Sequence, residues 1–203
     1  MMQPRYSPTS PYVRKVSVMA IETGLSGQID RVLTNPWDPQ MDLGGANPLG
    51  KVPALITPDG AEIFDSRVIC EHLDAMHDSE SFFPLEPKIR STALRLQALA
   101  DGILDAAILR LIEERRRPGE YCWPVWCDRQ ATTMNRSLDW LEERRSLLDS
   151  RRTIGSIAVG CMLGYLDFRY ADEDWREGRD GLASWYSAFA QRPSMRDTVP
   201  VER

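Results

Sequence analysis

Asn47-Pro48-Leu49-Gly50-Lys51-Val52-Pro53-Ala54-Leu55, followed ten residues on by Asp65-Ser66, is the stretch from which the rest of this chain is read. A proline behind a β-branched valine, set between a Gly-Lys turn and an apolar run, predicts a turn of uncommon geometry with a cis Val52–Pro53 bond. Such a turn leaves the amide and carbonyl of Val52 outside any helix and able to pair with an extended peptide. Asp65-Ser66 opens a helical pattern, and the unpaired N–H groups of a helix start bind carboxylates. Together the two features predict one site for both the backbone and a carboxylate of a peptide.

Outward from this stretch, residues 1–77 alternate short strand-like runs with helical ones, the pattern of a mixed α/β domain. A first strand is expected near Met2–Tyr6, where Pro4 is tolerable only at an edge or terminus. Ser10-Pro11 starts a helix, with Ser10 as N-cap and Pro11 at the first helical position. Val13, Val16 and Ala20 line one face of it and Gly24 ends it. Residues 28–33 read as a second strand, and residues 36–50, rich in Pro, Gly and Asp, as an irregular loop with at most a short helix. Ala54–Thr57 and Glu62–Phe64 flank the turn Pro58-Asp59-Gly60. A helix over Ser66–Met76 is expected to bury Val68, Ile69, Leu73 and Met76.

Residues 78–87 carry two prolines and read as an interdomain linker. Beyond it an all-helical domain is expected over 88–203. Its helices lie over Lys88–Arg116, Trp126–Leu148, an apolar segment from Ile154, and Gly181–Gln191. The segment from Ile154 is apolar on every face, the mark of a buried helix, with Thr153 as its N-cap.

At 203 residues and 42% hydrophobic composition the chain can bury a substantial core, as one large domain or two small ones. A net charge of −5 gives no overall attraction for nucleic acid or an anionic membrane. Arg115-Arg116-Arg117, Arg144-Arg145 and Arg151-Arg152 each sit beside acidic residues and read as solvated helix faces. No apolar run approaches a membrane span, and Met1-Met2-Gln3-Pro4-Arg5 lacks the apolar centre of a signal peptide, so the cytoplasm is the expected compartment. Cys70, Cys122, Cys127 and Cys161 contain no Cys-x-x-Cys pair, and with His72 and His77 far from them in sequence no metal site is expected. They read as free thiols.

The Val52-Pro53 and Asp65-Ser66 pairs, with the opening Ser7-Pro8-Thr9-Ser10-Pro11-Tyr12-Val13-Arg14-Lys15, resemble the glutathione S-transferase family, cytosolic and bacterial in type, over nearly the whole chain. The resemblance implies an N-terminal thioredoxin-like domain followed by a C-terminal helical-bundle domain. It assigns pairing with the cysteinyl backbone of glutathione to Val52 and Pro53, and the γ-glutamyl end to Asp65 and Ser66. Lys51 and Arg67 are weaker neighbours, and glutathione is the co-substrate. Ser10 aligns with the Ser or Cys that activates the thiol. The family usually forms two-fold dimers in which the first domain of one subunit meets the helical domain of the other. It also commonly places an acid three residues after the N-cap of the buried helix. Here that position is Ser156, so the reciprocal capping bond is expected to be weaker or missing.

An N-cap serine usually does no more than satisfy helix amides, so a catalytic role for Ser10 rests on the resemblance. The physical demand on it is modest. A free thiol with pKa near 8.5 is only about 3% ionised at pH 7, and lowering that pKa by about two units takes about 2.7 kcal/mol of selective stabilisation of the anion. A charge-assisted hydrogen bond supplies about 1.5–3 kcal/mol and a helix N-terminus about 0.3–2. Ser7 is the alternative hydroxyl, with a turn role the better reading. The absence of a cysteine at position 10 argues against thiol-disulfide exchange.

In the family the electrophile lies between the first domain and the first long helix of the second, which here offers Asp101, Gly102, Asp105, Ile108 and Leu109. Asp105 reads equally as a pocket carboxylate, a cap or a solvated side chain. The expected activity is conjugation of glutathione to a small apolar electrophile. The alternatives are a glutathione-binding protein with little turnover, or an isomerase, lyase or dehalogenase on the same site.

Overall fold

A computed structural model describes the chain except for Pro39, Ser150 and Arg203. It forms two compact units, Met1–Leu85 with Pro193–Arg203, and Glu86–Arg192.

The first unit is built on a four-stranded mixed sheet. β1 (Gln3–Tyr6), β2 (Val32–Leu33), β3 (Leu55–Ile56) and β4 (Glu62–Ile63) lie in the order β2-β1-β3-β4. β1 and β2 run parallel, with Arg5 opposite Val32, and β1–β3 and β3–β4 run antiparallel. The second strand is shorter than residues 28–33. A 3₁₀ turn takes Ser26–Gln28, and Ile29 makes only an isolated bridge to Met2. Pro4 sits inside β1, where its ring occupies a position opposite Leu55.

α1 (Pro11–Glu22) buries Val13, Val16 and Ala20 as the pattern predicts. α2 (Ser66–Asp74) departs from expectation: Ile69, Cys70 and Leu73 are buried, but Val68 is 52% exposed and Met76 lies beyond the helix end, 41% exposed. Ser66, Ile69, Cys70 and Leu73 fall on one face at helical spacing, and Val68 sits roughly 160° away from it at about 100° per residue.

Residues 78–85 and 193–202 pack with this unit. The buried Asp74 carboxylate accepts from the N–H of Phe82 at 2.7 Å, the N–H of Phe83 at 3.2 Å and the Ser81 hydroxyl at 2.5 Å, which folds the segment after α2 back onto it. At the other end of the chain, the short α7 (Pro193–Arg196) packs on α1, where the Arg14 guanidinium donates to the Met195 carbonyl at 3.1 Å.

The second unit is helical, with α3 (Pro87–Arg115), α4 (Pro124–Glu143), α5 (Ile154–Arg169) and α6 (Asp180–Phe189). Every residue of α5 from Ile154 to Leu166 is buried, against α3 above all. Its capping is firmer than expected. The Thr153 N–H donates to the Ser156 hydroxyl at 3.0 Å, and that hydroxyl donates on to the Thr153 carbonyl at 2.8 Å, so a short side chain supplies the reciprocal bond. α4 begins at Pro124, two residues ahead of the expected Trp126, because proline suits the first helical position; it stops at Glu143, and Arg145–Leu148 continue as a 3₁₀ turn. Among the described residues no helix is long and apolar enough to cross a membrane.

Candidate functional site

Strand register brings the three predicted segments to one end of the sheet. The Arg5 N–H donates to the Ala54 carbonyl at 2.7 Å, so the segment leaving β1 (Ser7–Ser10) lies beside the segment entering β3 (Val52–Ala54). β4 runs antiparallel to β3 with Ile63 opposite Leu55, so its exit through Phe64, Asp65 and Ser66 reaches the same end. α1 and α2 both start there and pack against each other, and two helix N-termini with their partial positive charge therefore face one region.

The Val52–Pro53 bond is cis, as expected, and so is Phe64–Asp65. Among the described residues the amide and carbonyl of Val52 enter no hydrogen bond, and the residue is half-buried; a segment with one unpaired edge of this kind accepts an extended peptide. The loop ahead of it is held by Asn47, 1% exposed. Its Nδ2 donates to the Lys51 carbonyl at 2.8 Å and its Oδ1 accepts from the Leu49 N–H at 3.0 Å. Gly50 turns the chain between them with φ 61°, which a side chain would disfavour. Asn47 was within the deciding stretch but carried no predicted role. The available signal was an Asn before a Pro-x-Gly turn, whose side chain commonly bonds main chain a few residues on.

Asp65 caps α2 through its carboxylate, which accepts from the Arg67 N–H at 2.9 Å. Ser66 is 2% exposed at the first helical position, whereas the side chains of Lys51 and Arg67 are exposed. Ser10 caps α1: its hydroxyl accepts from the Val13 N–H at 3.3 Å, which leaves the hydroxyl proton to be donated elsewhere. Ser7 is buried, with its hydroxyl 3.4 Å from that of Thr9.

Residues 9–76 match the family model of the glutathione S-transferase N-terminal domain, and residues 124–188 match that of its C-terminal domain. The chain belongs to the glutathione S-transferase family. It is 34% identical over 195 residues, 95% of each chain, to the uncharacterized GST-like protein YibF of Escherichia coli K12. Among solved structures it is similar to a glutathione transferase family member from Pseudomonas fluorescens Pf-5 with bound glutathione, at 40% identity, TM-score 0.95 and full coverage of both chains. A glutathione S-transferase of Methylobacillus flagellatus KT with glutathione bound follows at 38% identity and TM-score 0.94, over 99% of this chain and 100% of that one.

Within the helical unit of this family member, Asp101 of α3 is buried and Asp105 is exposed. A separate cleft of about 300 Å³ is lined by Arg110, Met134, Leu138, Tyr170, Glu173 and Arg179 among others. Several of its polar side chains are already engaged with neighbouring groups. Arg110 pairs with Glu114 at 2.8 Å and Glu173 at 2.7 Å, Arg179 pairs with Asp139 at 2.7 Å, and the Tyr170 hydroxyl donates to the Ala107 carbonyl at 2.7 Å. Burial pushes the Tyr170 phenol well above its ordinary pKa, so it stays protonated as a donor. Among the described residues no group of three or more His, Cys, Asp or Glu side chains is arranged to hold a metal ion.

Proposed function

We propose that this protein is a glutathione transferase that joins the glutathione thiolate to a small apolar electrophile at the end of the sheet where α1 and α2 begin. The observation that carries this reading is the unpaired main chain of Val52 beside two helix starts. Val52 pairs with the cysteinyl backbone on the frame set by Pro53 and Asn47. Asp65 and Ser66 hold the γ-glutamyl end, with Lys51 and Arg67 at the margin. The Ser10 hydroxyl donates to the sulfur while its oxygen remains tied to the Val13 amide. The relatives of known structure with bound glutathione support the ligand. The proton leaves to solvent once the anion is favoured, and the thiolate attacks the electrophilic carbon directly. The working assembly is a two-fold homodimer in the cytoplasm, and no metal takes part.

Steady-state conjugation measured against pH with aryl halides and activated alkenes tests this. Ser10→Ala is expected to raise the pKa of the bound thiol by about one to two units, at about 1.36 kcal/mol each, and to depress turnover near neutral pH. Alkaline pH is expected to restore part of the rate, because ionisation then no longer needs the hydroxyl. Wild-type and Ser10→Ala titration curves that overlay in thiolate absorbance leave Ser10 as a plain helix cap. Glutathione binding without turnover on any electrophile overturns the transferase reading.

A further inference from the structure

Cys122 and Cys127 have no part in the site above, yet the fold sets them against each other. Trp123 is the N-cap of α4 and Pro124 its first helical residue, so Cys122 stands one position before the cap and Cys127 at the fourth helical position. These are the two positions whose side chains meet across a helix start as a hydrophobic staple, and here both are thiols. The helix start that holds them is pinned. The N–H groups of Trp126 and Cys127 both donate to the Trp123 carbonyl, at 3.0 and 3.3 Å, and the Trp123 N–H donates to the Glu113 carboxylate of α3 at 3.0 Å. The Trp123 and Trp126 rings stack beside the pair with centroids 6.2 Å apart.

The two thiols differ in access. Cys122 is half-buried on the approach to the helix, and Cys127 is 7% exposed beneath it. Burial, the neighbouring Cys122 sulfur and the carboxylates of Glu114 and Glu113 all push the Cys127 thiol up, so it remains protonated at neutral pH while Cys122 is the sulfur that meets solutes.

We propose that Cys122 and Cys127 are a peroxide-responsive thiol pair that closes to an intrachain disulfide at the start of α4. The Cys122 thiolate attacks one oxygen of hydrogen peroxide, the O–O bond breaks, and the departing hydroxide takes up a proton to leave as water. Cys122 is then a sulfenic acid. The Cys127 sulfur attacks the Cys122 sulfur and expels its hydroxyl, which leaves as a second water with the Cys127 proton. Two thiols and one peroxide become one disulfide and two waters, with two electrons passing from the sulfurs to the peroxide oxygens. A dithiol reductant reverses the step by thiol-disulfide exchange. Disulfides in a reducing compartment are mostly of this transient kind. Cys70 and Cys161 are both fully buried and serve as internal controls.

The full-length protein, treated with hydrogen peroxide, denatured, alkylated and digested with trypsin, tests this directly. Cys122 and Cys127 fall on the same peptide, Arg117–Arg129. The expected result is that this peptide escapes alkylation and loses two hydrogens in mass, while Cys70 and Cys161 are alkylated in full. Dithiothreitol returns it to the doubly alkylated form, and tryptophan fluorescence changes with each step. Cys122→Ser abolishes the closure, and Cys127→Ser leaves Cys122 as a sulfenic acid trapped by dimedone. If the wild-type peptide stays doubly alkylated at a peroxide dose that oxidises free glutathione, or if dimedone labels wild-type and Cys127→Ser protein equally, the proposal fails. The wild-type readout decides this even if the Cys127 variant does not fold.

Discussion

Gly155→Val is expected to lower stability by about 3 kcal/mol and the unfolding midpoint by about 6–12 °C. Gly155 is the second residue of α5, where that helix crosses α3. A Cβ added there meets the Ala93 carbonyl oxygen at 2.7 Å and the Leu96 Cβ at 2.8 Å. Backbone and a buried leucine cannot swing aside as the end of a long side chain can, so the two helices must separate and give up packing along the centre of the helical unit. A β-branched residue adds its methyl groups to the same clash. Gly102 is the control. It lies within α3 with nothing within 4 Å of an added Cβ, and Gly102→Ala is expected to leave stability unchanged or raise it by up to about 1 kcal/mol through helix propensity. Urea unfolding followed by circular dichroism compares the two, and equal midpoints would remove the close crossing from the account.

Ser66→Ala is expected to weaken glutathione binding by about 1–3 kcal/mol, or about 5- to 150-fold in Kd. The γ-glutamyl carboxylate needs donors that replace its water, and the buried Ser66 hydroxyl with the first amides of α2 supplies them in the proposed complex. One oxygen of the Asp65 carboxylate accepts the Arg67 N–H, which orients the helix start that Ser66 belongs to. Removing the hydroxyl leaves a desolvated charge short of one partner. The substitution is small and at a helix start, and the fold is expected to persist. Calorimetric titration of the variant reads the loss, and an affinity equal to wild type moves the carboxylate elsewhere.

The parts of this site that could be read from sequence are those where one residue dictates its own backbone. Pro53 behind Val52 announced a cis turn, and Asp65-Ser66 and Ser10-Pro11 announced helix starts, because caps and prolines act within a few residues of themselves. Their convergence is different in kind: it depends on β3 running antiparallel to both neighbours, which no local residue encodes. Val68 is apolar but falls off the face that Ile69 and Leu73 share, and Met76 is apolar but lies beyond the end of α2. Asn47 and Ser156 were visible as turn and cap residues, yet what their side chains bond is decided by the exact path of the chain around them. α7 was missed because Pro193 reads as a stop to α6 when it is equally the start of one more turn.

In the function proposed above, the end of the sheet carrying Val52, Asp65, Ser66 and Ser10 holds glutathione. The most direct test is calorimetric titration of the wild-type protein with glutathione at neutral pH. Saturable binding of one glutathione per chain is expected, whereas a folded protein that gives no saturable heat would rule this site out.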